Sequence, residues 1–592
     1  MAVEKLITDH FDTWTSALQT RSTAGRGSNG KIDLYGIKKL RELILELAVR
    51  GKLVPQDPND EPASELLKRI AAEKAELIKQ GKIKKQKPLP EISEDEKPFE
   101  LPSGWEWATL SHLGSFSGGK TPSKMRSEYW GGNIPWVTPK DMKTHLINTS
   151  EDCVTDFAIS DGLAKVSLGS LLFVARSGIL RRKFPVAITS VECTVNQDLK
   201  VLTPFIANIE NYILLMMNGF ERYIIKNLTK VGTTVESLLF DEFSSHPFMI
   251  PPLEEQFRIT NKVNELMSLC DQLEQQSLTS LDAHSQLVET LLATLTDSQN
   301  AEESAENWAR ISQYFDTLFT TEASIDTFKQ TILQLAVMGK LVPQDPNDEP
   351  ASELLKRIEQ EKAQLVKEGK IKKQKPLPPV SDEEKPFVLP MGWEWCRLGD
   401  LALGSEAGWS PQCESHPRNG DDWGVLKISA VTWGEFNAEE NKALPVKLEP
   451  KQEYEVKGND FLLSRANTSE LVARSVVVPQ TVPKHLMLSD KIIRFQFPDL
   501  IDVNYINIVN NSMLSREYYG IVAGGTSASM KNVTRNQVSL LPVALPPYNE
   551  KKKIISVIES VLVLVDTLKN LVVKSEGIKK NLTDSIIFHF EN

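Results

Sequence analysis

The chain repeats itself, and the repeats frame segments that differ. Residues 51–70 read GKLVPQDPNDEPASELLKRI, and residues 339–358 read the same twenty letters 288 positions later. GKIKKQKPLP at 81–90 returns at 369–378, and GWEW at 104–107 returns at 392–395. Beyond GWEW the two copies mostly diverge. Such a chain is constrained to fold as two similar frames, each presenting its own module. At 592 residues it exceeds a single core, so three or more compact units are expected.

The frame begins with LYGIKKLRELILELAVRGKLV, where Ile37, Leu40, Ile44 and Leu47 fall at helical spacing. IDTFKQTILQLAVMGKLV repeats that pattern in the second copy. Pro55, Pro58 and Pro62 then break the helix. A short charged helix, ASELLKRIAAEKAELIKQG, comes next, and after it KIKKQKPLP reads either as a solvated linker or as a contact to phosphate or a partner.

After GWEW the pattern changes. Residues 108–250 and 396–545 carry short β-rich runs such as SLLFVA and DFLLS between Gly, Pro and Asn, with one helical stretch late in each. Each segment reads as a mixed α/β domain. Both end alike, in IPPLEEQFRI and LPPYNEKKKI, now offset by 295, and long helices come after them. Ile259, Val263, Leu266, Cys270 and Leu273 form a heptad seam that Ser277, Ser280 and His284 weaken and Leu287 and Leu291 resume. Ile554, Ile558, Val561, Val565, Leu568, Val572, Leu582 and Ile586 form the second. Two seams in matching register predict helices that pack on each other, as a rod of roughly 60 Å.

Net charge is −11, but its distribution says more than its sum. Residues 251–330 hold 4 Lys/Arg against 14 Asp/Glu, whereas residues 101–250 hold 14 of each. The module before the acidic stretch is neutral and free to place a basic cleft on a phosphate backbone. Cys153, Cys193, Cys270, Cys396 and Cys413 form no CxxC pair, which argues against a zinc finger and suits a reducing cytoplasm. MAVEKLITDHFD carries no basic-then-apolar leader, and no run approaches a membrane span.

Catalytic motifs are missing. Gly114 to Thr121, GSFSGGKT, fits GxxxxGK[ST] letter for letter. A phosphate cradle needs a helix starting at the Lys-Thr, and Pro122 comes at once. The matching GSEAGWSP of the second module has no Lys-Thr. LPPY at 545–548 lacks the Asn or Asp of an adenine methyltransferase, and HExxH is absent. No metal or catalytic residue is predicted.

Binding chemistry remains. Arg176, Arg181, Arg182 and Lys183 cluster in VARSGILRRKF; Arg465, Asn467 and Thr468 lie in LLSRANTS, with Arg474 beyond. Arg suits guanine and Asn suits adenine. Arg176 and Arg465 each stand seven residues after a glycine, Gly169 and Gly458, and so read as equivalents. Gly232-Thr233-Thr234 and Gly525-Thr526-Ser527 recur as turns suited to phosphate.

GGKTPSKMRSEYWGGNIPWVTPKDM at 118–142 resembles the opening of target-recognition domains in DNA-specificity subunits of type I restriction–modification systems, and GTTVESLLFDEFSSHPFMIPPLEEQFRI at 232–259 resembles their close. The duplicated GKLVPQDPNDEPASELL resembles the conserved regions of one longer branch. The second module departs from the opening motif, having no YWGGxIPW.

The resemblance implies an α/β (α+β) fold with two target-recognition domains, at 101–250 and 389–545. Two long antiparallel coiled-coil helices, at 251–298 and 546–592, would separate them, with helical conserved regions at 1–100 and 299–388. It implies a non-catalytic bacterial defence protein that reads an asymmetric bipartite site on double-stranded DNA. Its partners would be two methyltransferase subunits and restriction/translocase subunits, which would carry S-adenosylmethionine, ATP and magnesium. A fused methyltransferase and a protein–protein scaffold are the alternatives. The residues expected at DNA in the first module are Lys120, Thr121, Ser123, Trp136, Thr138, Lys140, Arg176, Ser177, Arg181, Arg182, Lys183, Lys230, Thr233 and Thr234. In the second they are Trp409, Ser410, Lys427, Arg465, Asn467, Thr468, Arg474, Thr526, Ser527, Lys531 and Arg535.

Overall fold

The computed structural model describes the chain except residues 1–2, 22–30, 85–91, 94–96, 98–99, 233–234, 528 and 592. It divides into two compact units: Met1–Gln19, Ile32–Leu278 and Glu576–Asn592 form the first, Thr20–Lys31 and Thr279–Ser575 the second. Among the described residues no helix is long and apolar enough to cross a membrane.

In the first unit the helix Tyr35–Val49 buries Ile37, Leu40, Ile44 and Leu47, the stripe its spacing predicts. Gly51 ends it at φ +67, with the Pro102 and Trp105 rings closing on the space a Cβ would take. The charged helix Ala63–Lys79 lies beyond the prolines. Strand Glu106–Thr109 then pairs antiparallel with Pro247–Ile250, tying the two ends of the strand-rich segment together. Between them a sheet runs in the order Gly114–Gly118, Leu199–Pro204, Leu171–Val174, Val186–Thr189, Leu146–Ile147. Leu171–Val174 is buried throughout, as a central strand covered on both faces must be.

The second unit repeats this wiring. Glu394–Arg397 pairs with Pro542–Leu545. Gly404–Ala407, Ile492–Gln496, Phe461–Ser464 and Ser475–Val477 lie in the same order. Two three-stranded sheets in each segment also match strand for strand. The late helical stretch, expected as one helix, is split in both. Glu210–Gly219 and Glu221–Asn227 meet at Phe220, and Val503–Asn511 and Met513–Val522 meet at Ser512. In the second segment the Ser512 side chain caps a new helix by accepting from the Ser515 amide.

The long helices are Leu253–Asp297 and Tyr548–Glu591. Each contributes its first part to one unit and its last part to the other. Their seams depart from the strict heptad. Leu287 is 51% exposed and Leu582 is 50% exposed, while Val288 and Thr583 are buried. Val288 lies eighteen residues after Cys270, and Thr583 eighteen after Val565. Eighteen residues are five turns of an unsupercoiled helix, so burial obeys period 3.6 rather than 3.5. Within the second unit Val288, Leu292 and Leu295 share one core with Val565, as helix-on-helix packing requires, and Phe328 and Ile332 of helix Glu322–Val337 join them. In the first unit helix Tyr35–Val49 holds the corresponding place. Arg41 donates to Asp271 and Glu274 of one long helix, and the Tyr35 hydroxyl to Asp584 of the other at 2.6 Å.

In the second unit Arg397, buried, fastens the linker that precedes it. Its guanidinium donates to the carbonyls of Pro378 and Pro379 and to both oxygens of Glu384, at 2.8 and 2.6 Å. Arg397 thereby holds the Glu384 carboxyl down at about 2, against an ordinary 4.5. A lowered carboxylate stabilises the fold above its unfolded value and ceases to as pH falls through its folded one. Pepsin cleavage around Pro378–Glu384 is therefore expected to accelerate as pH drops from about 4.5 toward 2. The Arg397→Met variant should cleave fast across that window, and equal rates for the two proteins would show that the pair does not hold the linker.

Candidate nucleic-acid interface

The repeated frame has a repeated fastening. Glu255, in the first turn of one long helix, accepts from the Trp105 indole at 3.0 Å and from Gln56 at 3.1 Å. Glu550, in the other, accepts from Trp393 at 3.1 Å and Gln344 at 3.3 Å. Both carboxylates are buried, and burial raises their pKa. The identical PQDPNDEP block and GWEW therefore recur with the long helix because they hydrogen-bond to it. Trp105→Phe removes one donor from a buried carboxylate, at a cost of about 1–3 kcal/mol. A matching drop in the first unit's denaturation midpoint is expected, with Trp393→Phe doing the same in the second.

Beyond this frame a small sheet projects from the end of each central strand. Arg176–Ser177, Glu236–Leu238 and Thr229–Lys230 form it in the first unit; Ala466–Asn467, Met530–Asn532 and Gly524–Ser527 form it in the second. Its register corrects the pairing of arginines. Leu199 lies opposite Val174 and Ile492 opposite Ser464, so Val174 matches Ser464. The Ala175 carbonyl accepts from Leu238 as the Arg465 carbonyl accepts from Val533. Arg465 thus matches Ala175, and Arg176 matches Ala466. Ala175 and Arg465 link two strands, whereas Arg176 and Ala466 open the next strand, so the two arginines are not equivalents. The error lies in the anchor. The left-handed turn before the strand is Gly169, φ 77, in one unit and Asn459, φ 65, in the other, not Gly458.

The expected contact residues among those described have these places. Lys120 is exposed, its carbonyl accepting from the Trp136 indole at 3.2 Å. The preceding Gly114–Gly118 is a strand and no helix starts at Lys120, so the P-loop-like string makes no phosphate cradle. The Thr121 hydroxyl donates to Gln197, and the Ser123 carbonyl accepts from Trp130. Trp136 is buried against Trp130 and braces the loop rather than facing outward. Thr138 is engaged by Asp141, while Lys140 is exposed. Ser177 caps the turn Gly178–Arg181. Arg176, Arg182, Lys183 and Lys230 are exposed. Thr233 and Thr234 lie outside the described residues.

In the second unit Arg465 and Arg535 come together. With Ala407, Thr534 and Asn536 they line a cleft of about 350 Å³. Arg535 also donates to the Ser405 carbonyl at 2.8 Å. In the first unit Phe240 stands at the Arg535 position and fills the space against Phe116, with the Lys200 ammonium over its ring at 4.6 Å. Asn467 and Lys531 are cross-strand partners. Asn467 is partly engaged by the Thr468 amide, and Lys531 by the Gly525 carbonyl. Ser410 is tied to Asp490, Ser527 to Ser529, and Lys427 to Glu440 at 3.5 Å. Trp409 lies beneath the Lys451 ammonium. Thr468 keeps a buried hydroxyl without a partner among the described residues. Arg474 is half-buried, and burial lowers its pKa. The Thr526 side chain lies outside the described residues. Sequence reasoning missed Glu236, a buried carboxylate beside Arg181, because nothing local marks it.

Residues 102–283 match the family model described as type I restriction modification DNA specificity domain. The chain is 54% identical to the type I restriction enzyme EcoEI specificity subunit of Escherichia coli, over 99% of both chains. It is 48% identical to the EcoAI specificity subunit of Escherichia coli, again over 99% of both. The crystal structure of an HsdS subunit from Thermoanaerobacter tengcongensis aligns with 84% of this chain and 98% of that one, at 15% identity and a TM-score of 0.37.

Proposed function

Since the chain belongs to the family of type I restriction–modification specificity subunits, we propose that each strand-rich module, 101–250 and 389–545, reads one half of an asymmetric bipartite DNA site. The observation carrying this reading is that two modules with the same strand order present different side chains from the same strand ends. Arg465 and Arg535 line an open cleft where the other module packs Phe240. The same scaffold with different donors suits two different base sequences.

The long helices set the unread spacer between the halves, on the logic of half-site spacing. The repeated frame docks two methyltransferase subunits, and restriction/translocase subunits complete the cleaving complex. S-adenosylmethionine, ATP and magnesium belong to those partners. Mapping methylated adenines in DNA from cells carrying this chain with its methyltransferase tests the reading. Two unlike half-sequences at fixed separation are expected, and a single contiguous or palindromic sequence would overturn it.

A further inference from the structure

We infer that Arg181 reads a guanine in the half-site of the first module and that buried Glu236 is the positioning residue that aims it. Glu236 is only 3% exposed, in the middle strand of the small sheet and opposite Ser177. One of its oxygens accepts from Arg181 Nε. Its other oxygen, Oε2, is buried without a hydrogen-bond partner among the described residues.

Burying a carboxylate half-satisfied is costly, so a strand does not keep one without a return elsewhere. Here the return is orientation. The Arg181 side chain is 58% exposed, and among the described residues Nε is its only nitrogen that makes a hydrogen bond. With Nε tied back, the two terminal nitrogens face outward as a fixed fork. That fork matches guanine O6 and N7, which accept two parallel hydrogen bonds in the major groove. A surface arginine loses side-chain freedom when it binds; one already held by a buried carboxylate has less to lose.

The second module lacks this device at the same place. The register that sets Glu236 opposite Ser177 sets Lys531 opposite Asn467. A carboxylate in one module is an ammonium in the other, so the guanine contact is specific to the first half. This inference rests on the module reading its half-site, and it goes on to name the base and the residue pair.

The test uses the assembled methyltransferase–specificity complex and a duplex library randomised across both half-sites. Wild type should select one guanine in the half-site that changes when the first module is exchanged. Arg181→Lys should cut discrimination at that base pair roughly tenfold or more and leave the other half-site alone. Glu236→Gln and Glu236→Ala should relax the same base pair. The double variant Glu236→Gln/Arg181→Lys should be no worse than Arg181→Lys, since both act through one fork. A merely structural Glu236 would instead weaken binding to every sequence alike, and that result, or unchanged discrimination in Arg181→Lys, would overturn the inference. If exchanging the first module altered neither half-site, the module reading itself would fail, independently of the pair.

Discussion

The double variant Arg465→Ala/Arg535→Ala is expected to bind DNA roughly a hundredfold more weakly as part of the assembled complex. Both side chains line one cleft and bring two fixed positive charges to the strand ends of the second module. Hydrogen bonds from charged donors are worth about 1.5–3 kcal/mol each. Two of them therefore come to about a hundredfold or more in affinity. If the two arginines meet phosphates, a plot of log affinity against log salt should become shallower by about two. If one of them meets a base edge, the slope changes less and selectivity in that half-site falls as well. The control is Lys372→Ala/Lys373→Ala in the basic linker, which is exposed in the second unit. An unchanged slope there settles the linker as a solvated tether; an equal loss in both double variants would mean that charge alone, rather than the cleft, carries the binding.

Truncation after Ser575 is expected to damage the unit built mainly from the other end of the chain. The last segment of the second long helix, from Glu576 on, belongs to the first unit. It buries Thr583 and Ile586 and accepts the Tyr35 hydroxyl at Asp584. Losing a buried isoleucine costs about 2–5 kcal/mol and losing a hydrogen bond to a carboxylate about 1.5–3. Their sum is comparable to the whole stability of a typical domain. Calorimetry of the truncated chain should show the first unit melting well below the second, with first-half discrimination lost in the complex. Two point variants separate this from a general effect of shortening. Ile586→Ala should destabilise by about 2 kcal/mol or more, and Leu582→Ala, on the exposed face, by less than about 0.5. The opposite ranking would restore the heptad seam and put Leu582 at the packing face.

How far the fold was legible depended on the range of the interactions involved. Ile37, Leu40, Ile44 and Leu47 declared their helix because periodicity is a property of neighbours. SLLFVA and DFLLS declared β-rich runs by their apolar residues, and the sheet order then placed them as central strands covered on both faces. Pro122 and the missing Lys-Thr of the second module argue against the P-loop-like GSFSGGKT, and the structure has a strand in front of Lys120 with no helix at it. The heptads were legible at their start and failed by the fourth heptad, about eight turns on. Their small mismatch with the true helical period accumulates until the expected seam residue, Leu287 or Leu582, has rotated out.

The interface was less legible for a different reason. Arg465 and Arg535 are seventy residues apart in the chain, and nothing local announces that they share a cleft. Nothing local marks Glu236 either. Its burial and its hold on Arg181 exist only because strand Glu236–Leu238 pairs with Arg176–Ser177.

The sequence by itself determined that there are two repeated frames and what kind of module each holds. The repeated letters form the same elements in both copies, Ala63–Lys79 and Ala351–Lys367, each helix being set by its own apolar spacing and the prolines before it. Tertiary structure alone decided which residues of the two modules correspond. The turn before the central strand is one residue longer after Gly458 than after Gly169, and Asn459 absorbs the difference in a left-handed conformation. That single position puts Arg465 in the link between two strands, where the first module has Ala175, and so separates an apparent pair of equivalent arginines.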